Sequence, residues 1–343
     1  MISLAILTGS SRMVVIAATA VASFLITALL GFVLIPWLKK LKFGQTIRDI
    51  GPSWHKKKQG TPTMGGLLFI IGGTVTLIAV ALACELIFDI PVIFGASGIS
   101  PMAAGTIMAL GCAAIGFADD YIKVAKKRNL GLTAPQKMFA QLLVALAYAV
   151  TMYSTGATMI EIPWIGTVDF GIWFIPFCIV VIAAVTNAVN FADGVDGLCG
   201  MVSFVVALFF LILAGVGGFF AEGLQSAVLA GGMAGFLVWN LHPARVFMGD
   251  TGSLFIGGMI TAMAFGLRQP FLLLPAGIIY VVEMLSVIIQ VLYFKATGGK
   301  RLFKMSPIHH HFEMSGWSEM KIVTIFTVTT VIGCTVAWLL TMV

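Results

Sequence analysis

Charge is what this chain has least of. Only 10% of its 343 residues are Asp, Glu, Lys or Arg and mean hydropathy is +1.05, whereas about a quarter of a soluble domain is charged. That scarcity excludes an ordinary water-soluble fold. Cysteine is sparse too. Cys84, Cys112, Cys178, Cys199 and Cys334 show no CxxC spacing, which speaks against a disulfide framework and a thiolate zinc site and makes them buried apolar residues. No internal repeat is visible, which counts against a repeat-built transporter. The first apolar run continues past any small-residue cleavage site. Only Arg12 precedes that run, which continues to Leu38 and reads as a retained helix rather than a signal peptide.

What is present is apolar length. Hydrophobic residues make up 59% of the chain. Candidate helices lie near 14–38, 64–84, 101–120, 136–155, 171–189, 199–219, 225–240, 253–268, 271–294 and 321–342, many close to the ~20 residues that cross hydrocarbon. The chain is therefore expected to be an all-α polytopic integral membrane protein, a single domain over 1–343 with about ten transmembrane helices. Its 38 glycines suit close helix packing in lipid. Residues 157–170 alternate and predict a small hairpin.

With loops alternating sides, one side receives Lys39, Lys40, Lys42, Arg48, Lys56, Lys57, Lys58, the bases from Lys123 to Lys137, Arg245, and those from Lys295 to Lys321. The other receives Arg12 and Arg268. The positive-inside rule makes the first side cytoplasmic and both termini extracytoplasmic. The cytoplasmic side also collects Asp119-Asp120, the run Asn187-x-x-Asn190-x-x-Asp193-x-x-Asp196, Asp250 and His309-His310-His311. Polar groups converging at a bilayer edge are expensive and usually functional. They predict a cytoplasmic-face active site for a water-soluble anionic substrate.

Each motif has a plain structural reading beside a chemical one. Asp119-Asp120 closes the third run, where the negative end of the helix dipole is unfavourable for carboxylates; a solvated helix end competes with a metal or proton-transfer site. Asn187, Asn190 and Asp193 recur every three residues at the inner end of the fifth run, and Asp193-Gly194-x-Asp196-Gly197 reads as a turn or as a carboxylate loop. Asp250, in Phe247-Met248-Gly249-Asp250-Thr251-Gly252-Ser253, is an N-cap or an oxygen ligand for Mg²⁺. Gly60-Thr61-Pro62-Thr63-Met64-Gly65-Gly66 is a Pro-started helix or an anion cradle beside Lys58. Three consecutive histidines cannot face one centre, so a metal triad is disfavoured and one or two of them are expected to meet phosphate or ribose. Glu283, deep inside a span, is either functional or paired with a neighbouring polar side chain.

Together, GTPTMGG at 60–66, Asp119-Asp120, NAVNFADGVDGL at 187–198, FMGDTGS at 247–253 and PIHHHFE at 307–313 resemble the phospho-N-acetylmuramoyl-pentapeptide transferase family along the whole chain. The acidic motifs are shared with the wider superfamily of polyprenyl-phosphate sugar-1-phosphate transferases. The resemblance implies an Mg²⁺-dependent transfer of phospho-N-acetylmuramoyl-pentapeptide from its UDP carrier to undecaprenyl phosphate, yielding lipid I and UMP for peptidoglycan synthesis. By the same resemblance, Asp250 holds the metal, Asp119 and Asp120 lie on the lipid-phosphate side, and Asp193 is a catalytic acid. Asn187, Asn190, Asp196 and Asn240 line the nucleoside side, Phe247 stacks on uracil, and Lys58, Thr63, His309 and His310 contact phosphate or sugar. The implied partners are the UDP-sugar peptide, undecaprenyl phosphate, membrane lipid and a second copy in a homodimer, with no nucleic acid; the implied location is the bacterial inner membrane. Two rivals are a sister transferase using UDP-N-acetylglucosamine and, from another class, a transporter.

Overall fold

A computed structural model describes residues 9–41, 60–95, 97–126 and 130–342. Lys58 and the bases between Lys42 and Lys57 lie outside the described residues. The chain runs through α1 (Gly9–Lys40), α2 (Gly66–Ile87), a short β1–β2 pair (Phe94–Gly95, Gly98–Ile99), α3 (Pro101–Ala125) and α4 (Ala134–Ser154). A hairpin of β3 (Met159–Ile162) and β4 (Gly166–Asp169) follows, then α5 (Phe174–Phe191), α6 (Leu198–Gly217), α7 (Phe220–Asn240) and α8 (Gly249–Gly266). The last elements are α9 (Leu273–Ala276), α10 (Ile278–Ala296), α11 (Ile308–Glu313) and α12 (Glu319–Leu340).

Helices dominate because a backbone in hydrocarbon has no water to bond, and only a helix satisfies its own N–H and C=O groups. Among the described residues nine helices are long and apolar enough to cross a membrane. The eighth expected span, α8, is not among the nine; it has the length but opens on a polar turn, and it is enclosed by α2, α3, α5, α6 and α7. Local signals set the ends. Ser100 accepts the Ala103 N–H at 3.2 Å with Pro101 behind it, and Thr133 forms a capping box with Gln136. Ser318 caps α12.

Some boundaries differ from the sequence expectation. The third helix does not end at the acidic pair but continues to Ala125. The seventh begins at 220 rather than 225, because polar Glu222 and Gln225 are buried among helices; Gln225 donates to the Met102 carbonyl and the Thr106 hydroxyl, both at 3.2 Å. The run 271–294 is not one span: it breaks at Gly277 between α9 and α10. The expected hairpin at 157–170 is present, with Ile160 paired to Val168 and fully buried.

Small residues let the helices close. A Cβ on Gly231 would stand 2.1 Å from the Ala20 carbonyl oxygen, so α7 lies directly on the α1 backbone. A Cβ on Gly116 would meet the Asp250 carbonyl oxygen at 2.1 Å, which brings α3 against the start of α8. That approach positions the site.

Candidate active site

The C-terminal ends of α3 and α5 and the starts of α4 and α8 meet here, and Asp119, Asp120 and Asp250 come together, with their nearest oxygens within 4.8 Å of one another. Asp119 and Asp120 are 3% and 2% exposed, which removes the solvated-helix-end reading. The Lys123 ammonium, one turn further along α3, stands 3.0 Å from Asp250 and 3.5 Å from Asp120, and also pairs with Asp119. Lys137 Nζ donates to Asp250 Oδ2 at 2.8 Å and reaches Asn190 Oδ1 at 3.3 Å. Asn190 in turn donates to Asp250 Oδ1 at 2.9 Å and to Ser253 Oγ at 2.8 Å. Asp120 accepts the Thr251 N–H at 2.9 Å and its hydroxyl at 2.7 Å; Asp119 accepts the Leu132 N–H at 2.7 Å. Asp250 therefore sits inside the first turn of α8 and does not cap it: the cap position is Met248, with no side-chain bond.

The GTPTMGG segment, read from sequence as a Pro-started helix or an anion cradle, makes backbone bonds to the 247–249 turn. Phe247 N–H donates to the Pro62 carbonyl at 2.8 Å, while Gly65 and Gly66 donate to the carbonyls of Phe247 and Met248 at 2.8 and 2.9 Å. Leu67 and Leu68 N–H groups bond back to Met64 and Gly65. The amides at the start of α2 are thus committed to backbone, and the segment clamps the 247–249 turn. Helix α2 opens at Gly66 and is not Pro-started. Thr63 stays at the site: its hydroxyl would be 2.8 Å from a Cβ on Gly249, whose φ of +75° requires glycine there. The Phe247 ring is half-buried.

The asparagines and aspartates of 187–196 diverge. Asn187 turns to α4, donating to Gln141 Oε1 at 2.8 Å, whereas Asn190 turns to α8. Asp193 follows the end of α5 and is pushed up to about 8 by burial first and then by the charges of Asp250 and Asp120. Asp196 faces His242 Nδ1 at 3.2 Å and accepts the Ala244 N–H at 3.0 Å. Asn240 accepts the Gly197 N–H at 3.0 Å and donates to the Val246 carbonyl at 2.9 Å, stitching the end of α7 to both loops. His309 is fully buried with Nδ1 3.0 Å from Glu283 Oε1, and His310 Nδ1 is 2.6 Å from Glu313 Oε2. His309 is thereby a buried support in this structure and presents no surface to a phosphate or sugar; His310 keeps an exposed edge, with 15% of its side chain accessible.

Lys137 and Gln141 were not among the residues singled out from sequence. The signal for Lys137 was there: a cation in the first turn of a helix opposes the helix dipole, so its place on α4 needed another reason. The donor set at Asp119, Asp120 and Asp250 is all oxygen, and the chain's own ammonium already stands among the three carboxylates. Those residues fit a hard divalent cation such as Mg²⁺.

Comparison with known proteins agrees with this arrangement. The family model for glycosyl transferase family 4 matches residues 102–267, and phospho-N-acetylmuramoyl-pentapeptide-transferase signature 1 matches residues 58–70. Proteins named phospho-N-acetylmuramoyl-pentapeptide-transferase are similar over nearly the whole chain. The one from Acetivibrio thermocellus is 50% identical over 318 residues, covering 92% of each chain. That from Clostridium botulinum strain Alaska E43 is 46% identical over 320 residues, 92% of this chain and 93% of the relative. That from Halalkalibacterium halodurans is 44% identical over 310 residues, 90% and 92% of the two chains. With half of its residues shared across 92% of its length, and with a signature match at 58–70, the chain belongs to the phospho-N-acetylmuramoyl-pentapeptide-transferase family.

Proposed function

We propose that this enzyme transfers phospho-N-acetylmuramoyl-pentapeptide from UDP-N-acetylmuramoyl-pentapeptide to undecaprenyl phosphate, releasing UMP and forming lipid I, at the cytoplasmic face of a bacterial inner membrane. The observation that carries this reading is the convergence of Asp119, Asp120, Asp250, Lys123 and Lys137 at one end of a membrane bundle. A lipid phosphate lies at headgroup level and a sugar nucleotide comes from water, so both reach the ends of these helices. Phosphoryl transfer needs little covalent help from protein; positioning and charge neutralisation do most of the work.

Asp250, with Asp119 and Asp120, would hold Mg²⁺, which when bound neutralises diphosphate charge and supplies Lewis acidity. Lys137 and Asn190 orient Asp250 by one bond to each of its oxygens. Thr251 holds Asp120 in place with two bonds. Burial first, and then the charges of Asp250 and Asp120, raise the Asp193 carboxyl, and Asp193 is the proposed acid toward the departing nucleotide phosphate. The attacking lipid phosphate needs no strong base, since its second pKa is about 6. Phe247 offers a half-buried ring to the uracil. Lys58 and His310 remain proposed phosphate or sugar contacts, and Asp196 and Asn240 frame the nucleoside side through the loop they brace. A homodimer is proposed on family grounds alone.

The test is UMP release by detergent-solubilised protein given UDP-N-acetylmuramoyl-pentapeptide and undecaprenyl phosphate, with and without Mg²⁺. Turnover is expected only with all three. Equal or better use of UDP-N-acetylglucosamine would move the enzyme to the sister transferases, and no UMP release from either would remove the enzymatic reading.

A further inference from the structure

Glu283 and His309 are both fully buried, one on α10 inside a membrane-spanning segment and one on α11. The carboxylate Oε1 lies 3.0 Å from His309 Nδ1. Among the described residues neither Glu283 Oε2 nor His309 Nε2 has a partner. The far edge of the imidazole presses on the acidic loop: a Cβ on Gly194 would lie 2.1 Å from His309 Nε2 and 2.7 Å from its Cε1. Its face lies against His310, with ring centroids 4.1 Å apart. His309 is thus wedged between the residue after Asp193 and the one histidine of the pair with an exposed edge.

We propose that Glu283 is a positioning residue for the transfer reaction, acting through His309 to set the spacing between Asp193 and His310. A carboxylate accepting from Nδ1–H selects one tautomer and fixes the ring's rotation. A packed apolar pair of similar volume would fill the same space without desolvating two polar groups. Their retention exactly where the ring abuts the loop and His310 is what the positioning role accounts for. Glycine at 194 follows from it, since no side chain fits between loop and wedge.

This inference rests on the functional reading above, and its test separates the two. The full-length protein in detergent is compared with Glu283→Gln, Glu283→Ala, Gly194→Ala and the Glu283→Ala/Gly194→Ala double variant. Readouts are kcat and KM for the UDP-sugar substrate and the ¹⁵N signals of His309 with histidine-selective labelling. Gln retains an oxygen that accepts from Nδ1–H, so Glu283→Gln is expected to keep the His309 tautomer and a kcat close to wild type. Glu283→Ala is expected to lose the single tautomer and about 10–100-fold in kcat with KM little changed. The double variant should lose no more than the worse single, because both displace one wedge. Wild-type kcat in Glu283→Ala, an equal loss in Glu283→Gln, or multiplying losses in the double variant would each overturn the proposal. If Glu283→Ala is not recovered folded, Gly194→Ala decides: full kcat there overturns it, and a loss with a shifted His309 signal supports it. Failure of the wild type to release UMP would instead remove the functional reading, while the His309 signals would still report whether Glu283 sets the ring.

Discussion

Asp250 divides its two oxygens among Lys123, Lys137 and Asn190. Around it three carboxylates face two ammonium groups, a formal excess of one negative charge. Asp250→Asn keeps the shape, but its amide NH2 must face either the two ammonium groups or the Asn190 amide, all donors, so the protein is expected to fold with a lowered thermal midpoint. Activity should fall by orders of magnitude, since metal stabilisation of transferring phosphoryl charge is worth several kcal/mol. A stable and fully active variant would put the metal elsewhere. Asn and Asp are comparable N-caps, but Asp250 makes no capping bond, so the stability of this variant tests the bonds from Lys123, Lys137 and Asn190 instead. A second expectation concerns Phe247. Its backbone is held by the clamp to Pro62 and Gly65, so Phe247→Ala removes the ring without releasing the turn. Affinity for UMP should drop by about 1–3 kcal/mol, the worth of aromatic stacking on a base, and calorimetry would show it. Unchanged affinity would mean the ring does not cover the uracil.

Among elements, the clamp between the start of α2 and the 247–249 turn depends on two glycines meeting. A Cβ on Gly66 would lie 2.3 Å from Gly252 Cα, whereas one on Gly73, two turns along the same helix, would find nothing closer than 3.7 Å. Gly66→Ala should therefore destabilise by about 1–3 kcal/mol, as overpacking does, and reduce turnover by moving Phe247 and Gly249. Gly73→Ala should be close to neutral. Thermal unfolding of the two variants side by side checks the pair, and equal midpoints would dissolve the clamp as a constraint. Here sequence reading met its limit. The hairpin at 159–169 was readable from alternation, and the membrane helices from their apolar length. The clamp was not, because it is made of backbone N–H and C=O groups, which every residue carries. For the same reason GTPTMGG stayed open between a Pro-started helix and an anion cradle: glycines, hydroxyls and a helix start are the same signal whether the amides meet phosphate or another segment of the chain.

For the molecule as a whole, the sequence showed which residues matter better than how they pair. Asp119, Asp120, Asn190 and Asp250 do converge. Asn187 and His309 instead face supporting side chains, Gln141 and Glu283, because a polar residue's partner across the bundle lies on another helix and leaves no local pattern. Orientation in the bilayer follows from loop charge, and the structure makes it simple to test. All five cysteines are buried, so an impermeant thiol reagent should meet little background. A cysteine replacing Trp164, which is 74% exposed at the hairpin tip, should label from outside intact cells, and one replacing Lys126 only after the membrane is opened. The reverse pattern would invert the protein.

Helix α8 carries Asp250, the proposed metal ligand, and sits at the centre of the bundle, with all its residues from Thr251 to Gly266 buried. It has no face for lipid to solvate, and its polar first turn weakens its partition into hydrocarbon. Such a segment gains little by entering the bilayer alone. Its place exists only once α3, α5 and α7 surround it, so α8 is expected to insert after those neighbours. Assembly of the bundle and completion of the acidic cluster are then a single event, because Asp250 meets Asp119 and Asp120 only when α8 is seated against α3.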